Sequence, residues 1–145
     1  MFKHLLIPSD GSATAERAVV EALQLAKEGG ARLTALHVVQ PFHVFSYEVG
    51  MLEDTRASYD RHARERGQFV LESIRRAGRE MDVAVDTVLL VAEHPYEKII
   101  DTATERGCDL IVMASHGRRG LQAMLLGSET QKVLTHSTIP VLVFR

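Results

Sequence analysis

Residues 2–30 read FKHLLIPSDGSATAERAVVEALQLAKEGG, and this stretch sets the fold class. Phe2 to Ile7 is a short apolar run closed by Pro8, the pattern of a buried strand. Ser9-Asp10-Gly11-Ser12 is dense in turn-forming residues. Ala15, Ala18, Val19, Ala22, Leu23 and Ala26 then lie on one stripe of a 3.6-residue period. Ser12 or Thr14 can cap the start of this helix, and Gly29-Gly30 ends it after Lys27. A strand, a turn and a helix make one β-α unit.

The unit repeats along the chain. Arg32 to Val39 is a second strand stopped by Pro41, and residues 40–52 (QPFHVFSYEVGML) read as an irregular loop. A charged helix follows over about 53–80, with Tyr59, Ala63, Val70, Ile74 and Ala77 as its apolar stripe. Val83 to Val91 is the third strand. Pro95 suits the first turn of a third helix with Ile99, Ile100 and Ala103 inward, and Gly107 ends it. Asp109 to Ala114 is the fourth strand, and Ser115 to Gly127 is a glycine-punctuated loop. Ser128 reads as the cap of a last helix, at capping-box spacing from Gln131. Pro140 to Phe144 is the fifth strand. Strict strand–helix alternation predicts a single α/β domain, an open five-stranded parallel sheet with helices on both faces.

Composition narrows the class. The chain has 145 residues, enough for one domain with one core. Apolar residues at 46% and charged residues at 25% exclude wholesale disorder. No apolar run reaches the length of a transmembrane helix, and the first run is too short for a signal peptide, so a cytoplasmic protein is expected. A net charge of −2 argues against a general nucleic-acid or anionic-membrane binder. A lone cysteine, Cys108, excludes an intrachain disulfide and reads as a small buried hydrophobe.

Ligands of open α/β sheets bind beyond the carboxyl ends of the strands. Two segments fall there: Pro8-Ser9-Asp10-Gly11-Ser12 after strand one, and Ala114-Ser115-His116-Gly117-Arg118-Arg119-Gly120 after strand four, running on to Gly127-Ser128-Glu129-Thr130. Gly117, Gly120 and Gly127 clear side chains from the path of a phosphate, and a helix opening at Gly127-Ser128 offers free N–H groups. The hydroxyls of Ser128 and Thr130 add donors, and Arg118 and Arg119 add charge. The same glycines also suit plain turns, with Ser128 a simple cap. Asp10 can meet ribose hydroxyls or a cation, or it can close an Asx-turn. His116 can touch phosphate or orient the loop. The charged stretch 53–66 reads as a solvated helix face. Phe42, Phe45, Tyr47, Met51 and Leu52 either pack on that helix or form a lid. P-loop, Gly-x-Gly-x-x-Gly and Gly-x-Ser-x-Gly motifs are absent.

The Pro-x-Asp-Gly-Ser turn, His37-Val38 ending strand two, Ser115-His116-Gly117, nine residues, Gly127-Ser128, and the closing Ile139-Pro140-Val141-Leu142-Val143 together resemble the universal stress protein family over the whole chain. The resemblance implies an adenine-nucleotide alpha-hydrolase-like fold and an ATP site, with Mg²⁺ carried by the phosphates. Asp10 would meet the ribose or the metal–phosphate group, the Val38 backbone the adenine edge, and Gly117, Gly127 and Ser128 the phosphates. Pro8, Ser9, Met113, Ala114, Ser115, His116, Arg118, Gly120, Glu129 and Thr130 would complete the site. Ala114 stands where the family signature has its first glycine. Alanine is tolerated if the position needs only closeness, and weakens binding if it needs a left-handed backbone.

Strands one and four must be neighbours for Asp10 and Gly117 to share a ligand, which predicts the order 3-2-1-4-5. The apolar fifth strand, Pro140, Val141, Leu142, Val143 and Phe144, then lies at a sheet edge. Such an edge needs a partner, and the resemblance also implies a homodimer there. The function expected is an ATP-holding regulatory module of the stress response. The alternatives are a slow ATPase or nucleotidyl-transfer enzyme of the same superfamily, and a structural dimer without nucleotide.

Overall fold

The structure, a computed structural model, describes residues 1–42, 49–117 and 126–145, with the backbone alone for 49–54. Five strands and four helices alternate: β1 (His4–Pro8), α1 (Ala13–Gly29), β2 (Arg32–Val39), α2 (Val49–Glu80), β3 (Val85–Val91), α3 (Pro95–Glu105), β4 (Leu110–Ala114), α4 (Ser128–His136) and β5 (Val141–Phe144). All neighbouring strands pair parallel in the order β3-β2-β1-β4-β5. This is the predicted fold and order. No helix among the described residues is long and apolar enough to cross a membrane.

Strand alternation explains the two cores. Leu5, Ile7, Leu33, Ala35, Leu110 and Val112 face α1 and α2. Leu6, Leu36, Ile111 and Met113 face α3 and α4. The α1 stripe read from the sequence is its buried face, residue for residue. Ser12, not Thr14, caps α1 by accepting the Ala15 N–H at 3.2 Å. Gly30 ends it at φ 63°, a conformation glycine reaches without a Cβ clash.

Strands one, four and five differ from the sequence reading by one or two residues at their ends, and three other boundaries differ in ways that bear on packing. α2 starts at Val49, four residues before the expected 53. β3 starts at Val85, because a turn through Asp82 at φ 59° holds Val83 under the end of α2, whose Gly78 carbonyl accepts the Val83 N–H. The cap of α4 is Gly127, not Ser128; Ser128 is the first helical residue. Gln131 spends its amide on the Leu126 carbonyl at 3.1 Å, so there is no capping box.

At the far end of the sheet from the glycine loop, the Asp109 carboxylate accepts the N–H groups of Lys3 and His4. Burial raises the Asp109 pKa, but these backbone donors outweigh it and hold the carboxyl below its ordinary range. Buried His4 shares a 2.7 Å hydrogen bond with Thr34. Burial lowers the His4 pKa, and the charge of Arg32 acts in the same direction. Burial pushes the Cys108 thiol up to about 11, so it stays protonated and inert.

These shifts predict an acid-labile fold. Both depressed values mean that the unfolded chain binds more protons, so stability falls as pH falls. The His4 contribution is complete above about pH 6.5 and is lost as pH drops through its lower folded value. Thermal melts between about pH 7.5 and 5 should show a falling Tm, and His4→Gln should flatten that decline. An unchanged slope in the variant would remove His4 from the account.

Candidate functional site

A cavity of about 450 Å³ opens over the carboxyl ends of β1, β2 and β4, within the range of small-molecule sites. It crosses the top of the sheet from α2 to α3 and α4. Pro8, Ser9 and Asp10 form one wall, and Met113, Ala114, His116 and Gly117 another. Gly127, Ser128, Glu129 and Thr130 at the start of α4 form a third. Val38 lies between them at the end of β2. The two sequence segments separated by about a hundred residues therefore meet at one place. Arg118 and Gly120 lie outside the described residues, as do Phe45 and Tyr47.

Asp10 closes the Asx-turn of its plainer reading, and its second carboxylate oxygen reaches across to the β4 loop. Oδ1 accepts the Ser12 N–H at 2.9 Å, closing an Asx-turn. Oδ2 lies against Gly117, so close that a Cβ on Gly117 would collide with it. A side chain at 117 would displace this carboxylate oxygen, so glycine there preserves the Asp10 position.

Val38 owes its exposure to ladder geometry. The Leu36 carbonyl accepts the Ser9 N–H of β1, whereas the Val39 carbonyl accepts the Ala92 N–H beside β3. Alternation turns the Val38 backbone groups toward β1, and β1 has already left the sheet there.

The α4 terminus differs from its simple reading. Gly127 has no side chain to cap the helix, so the N–H groups of the first turn have no acceptor within it. Gly127 sits tightly on the β4 exit: its N–H donates to the Ser115 carbonyl at 2.6 Å. The Thr130 hydroxyl donates to the Ala114 carbonyl at 2.9 Å, so it ties α4 to β4 and its proton is committed. The Glu129 carboxylate accepts the Tyr96 N–H at 2.8 Å and caps α3 instead. Ser115 is buried behind the wall, its hydroxyl 2.9 Å from His116 Nδ1, and does not line the cavity. Among the described residues, what remains open at this end is a helix N-terminus with its positive dipole end, the Ser128 hydroxyl and the glycine backbone.

Position 114 is where the chain departs from the family signature. Ala114 is the last residue of β4, pairs with Phe144 and has no positive φ. Alanine at 114 therefore sits in ordinary extended backbone that any residue adopts.

Several lining residues escaped the sequence reading. Tyr59, Ala63 and Arg66 on α2 face the cavity, although 53–66 reads as a solvated face. Their spacing of four and three residues was the available signal. Arg66 forms no ion pair with a described residue. Phe42 stacks on Tyr59 with ring centroids 5.0 Å apart, so this loop aromatic packs on the helix. Pro95 and Ile99 close the α3 side, and His37 and Gln40 the β2 side.

The sequence model of the universal stress protein family matches residues 1–145. The universal stress protein YxiE of Bacillus subtilis is 34% identical over 149 residues, spanning 100% of both chains. The solved structure of MJ0577, a universal stress protein of Methanocaldococcus jannaschii, matches with a TM-score of 0.82 at 30% identity, over 99% of this chain and 95% of that one. A universal stress protein of Archaeoglobus fulgidus, in complex with dAMP, shares the fold with a TM-score of 0.64 at 20% identity, over 100% of this chain and 98% of that one.

Proposed function

This chain belongs to the universal stress protein family, and we propose that it is a nucleotide-binding member that holds ATP in the cavity over β1, β2 and β4. The observation that carries the reading is the uncapped α4 N-terminus, cradled by Gly117 and Gly127 and facing Asp10. A triphosphate satisfies the free N–H groups and meets the positive end of the helix dipole. The Val38 backbone presents a donor and an acceptor, which suits an adenine edge, and Asp10 accepts ribose hydroxyls. Mg²⁺ enters on the phosphates, and Asp10 is the residue that would join its coordination. The protein then acts in the cytoplasm as a regulatory module whose surface depends on the nucleotide. A relative of the same fold in complex with dAMP supports an adenine-nucleotide ligand. The test is mass spectrometry of small molecules released from freshly purified, denatured protein, with calorimetric titration of the emptied protein by ATP. Release of adenine nucleotide and saturable rebinding are expected; absence of both refutes the reading.

Ala114→Gly should leave ATP affinity within about twofold of wild type and lower stability by about 0.5–1 kcal/mol, the cost of glycine in a strand. A clear gain in affinity would show that position 114 needs more than smallness.

The reading includes a homodimer through β5. Ile111 donates to the Pro140 carbonyl and Ser115 to the Phe144 carbonyl, so residues 140, 142 and 144 turn their backbone groups inward to β4. The backbone groups of Val141 and Val143 therefore face the free edge. Two copies paired antiparallel about Leu142 satisfy all of them. Pro140 lacks an N–H, but that missing donor would face β4. The apolar free edge needs covering whatever Pro140 does.

A further inference from the structure

We propose that His37 is a positioning residue of this site: through the Ser9 carbonyl, its imidazole fixes the turn that aims Asp10 at Gly117. The inference rests on the nucleotide-binding reading for what the turn serves, while the turn itself is visible without a ligand.

The argument starts where β1 stops. Ser9 makes the last backbone rung to β2, through its N–H and the Leu36 carbonyl at 2.9 Å. The chain then turns away. Ser9 is buried, and a buried carbonyl needs a donor. The donor is a side chain: His37 Nδ1 lies 2.8 Å from the Ser9 oxygen. A carbonyl only accepts, so Nδ1 carries the proton.

Room for that ring is made by a second residue far along the chain. Gly67 lies within α2, where a glycine costs roughly 0.5–1 kcal/mol relative to alanine. A Cβ at Gly67 would stand 2.6 Å from His37 Cδ2 and 2.7 Å from Leu89 Cδ1. The helix therefore closes directly over the imidazole. The ring is clamped between α2 and the β1 turn, with its donor on the residue preceding Asp10.

The turn downstream hangs from this point. Gly11 donates to Ser9 Oγ at 3.2 Å, and Ser12 donates to Asp10 Oδ1 at 2.9 Å. The other Asp10 oxygen meets Gly117. Losing the anchor at the Ser9 carbonyl frees the peptide that sets the direction of the Asp10 side chain. His37 acts through Asp10 and need not touch the ligand.

The test compares wild type with His37→Leu, His37→Asn, Asp10→Ala and the His37→Leu/Asp10→Ala double variant. Asparagine places an amide N–H near the position of Nδ1, whereas leucine fills space without a donor. ATP affinity should fall about tenfold in His37→Leu and recover to within about threefold of wild type in His37→Asn. The double variant should bind no more weakly than Asp10→Ala, because both changes act on one group. Hydrogen exchange of the Gly11 and Ser12 amides, without nucleotide, should speed up in His37→Leu but not in His37→Asn.

Fully additive losses, or equal losses for leucine and asparagine, would overturn the positioning role. Unchanged exchange in His37→Leu would also overturn it. A wild-type chain that binds no nucleotide sinks the functional reading instead, and the exchange measurement still decides whether His37 holds the turn. Thermal melts of each variant identify any that lose the fold; should His37→Leu be one, His37→Phe, which keeps a flat ring without a donor, carries the affinity and exchange comparison with the same expected and overturning results.

Discussion

Gly127→Val should abolish the proposed ATP binding and lower the melting temperature in the same protein. From the sequence, a valine at this position should push the phosphate off the helix N-terminus and leave the fold almost untouched. The structure makes the change harsher. A Cβ on Gly127 would stand 3.1 Å from His116 Cα, 3.2 Å from His116 Cβ and 3.4 Å from the Ser115 carbonyl. The first neighbour is backbone at the exit of β4, so it cannot swing aside. Relief requires α4 to shift, which strains the 2.6 Å bond from Gly127 N–H to Ser115 and the Thr130 tether to Ala114. Overpacking of this kind costs about 1–3 kcal/mol. For a domain of this size that is a fall in Tm of roughly 3–10 °C. The binding loss should be larger, at least about a hundredfold, because the strained element is the one whose N–H groups meet the phosphates. Calorimetry and melting on one preparation check both effects. Gly127→Ala grades the response, losing part of the affinity with a smaller fall in Tm. A folded valine variant with wild-type affinity would remove the α4 terminus from the site.

Leu142→Asp should convert the proposed dimer to monomer. Leu142 is 37% exposed on the edge strand, and in the proposed pairing it lies on the two-fold axis. Two carboxylates brought together there repel each other and lose their water. Val141 is a poorer place for the charge, since it packs against the core under α3 and α4. Aspartate there would damage the fold along with the interface. A free β5 edge carries unpaired backbone groups at Val141 and Val143, so pairing supplies their partners as well as apolar contact. Light scattering or sedimentation at micromolar concentration should find a wild-type dimer and a folded Leu142→Asp monomer. A wild-type monomer at high micromolar concentration refutes the interface. A Leu142→Asp dimer places the contact elsewhere.

The nature and order of the elements were legible before any coordinates. Six apolar residues of α1 could be named in advance because helical periodicity is a local property of the chain. The alternation of short apolar strands with amphipathic helices left a parallel sheet as the arrangement that covers both faces. Asp10, Gly117 and Gly127 could be singled out because residue types suited to turns and phosphates lay at the ends of strands one and four. Requiring them to share a ligand placed those strands side by side, as the sheet has them.

The partners of individual polar groups were not legible. Ser128 looked like a cap, yet Gly127 holds that position and the helix start stays open. Glu129 lies on the cavity wall, but that its carboxylate also closes the start of α3, 33 residues earlier in the sequence, could not be read in advance. Thr130 looked like a phosphate donor, yet its proton goes to Ala114. The backbone angle at Ala114 was not legible either. His37 and Gly67 gave no local sign of one another, because 30 residues of loop and helix separate them along the chain. Periodicity belongs to neighbours in sequence and survives without a fold. Hydrogen-bond partners belong to neighbours in space, and a shift of an ångström in how two helices seat on the sheet changes which donor meets which acceptor.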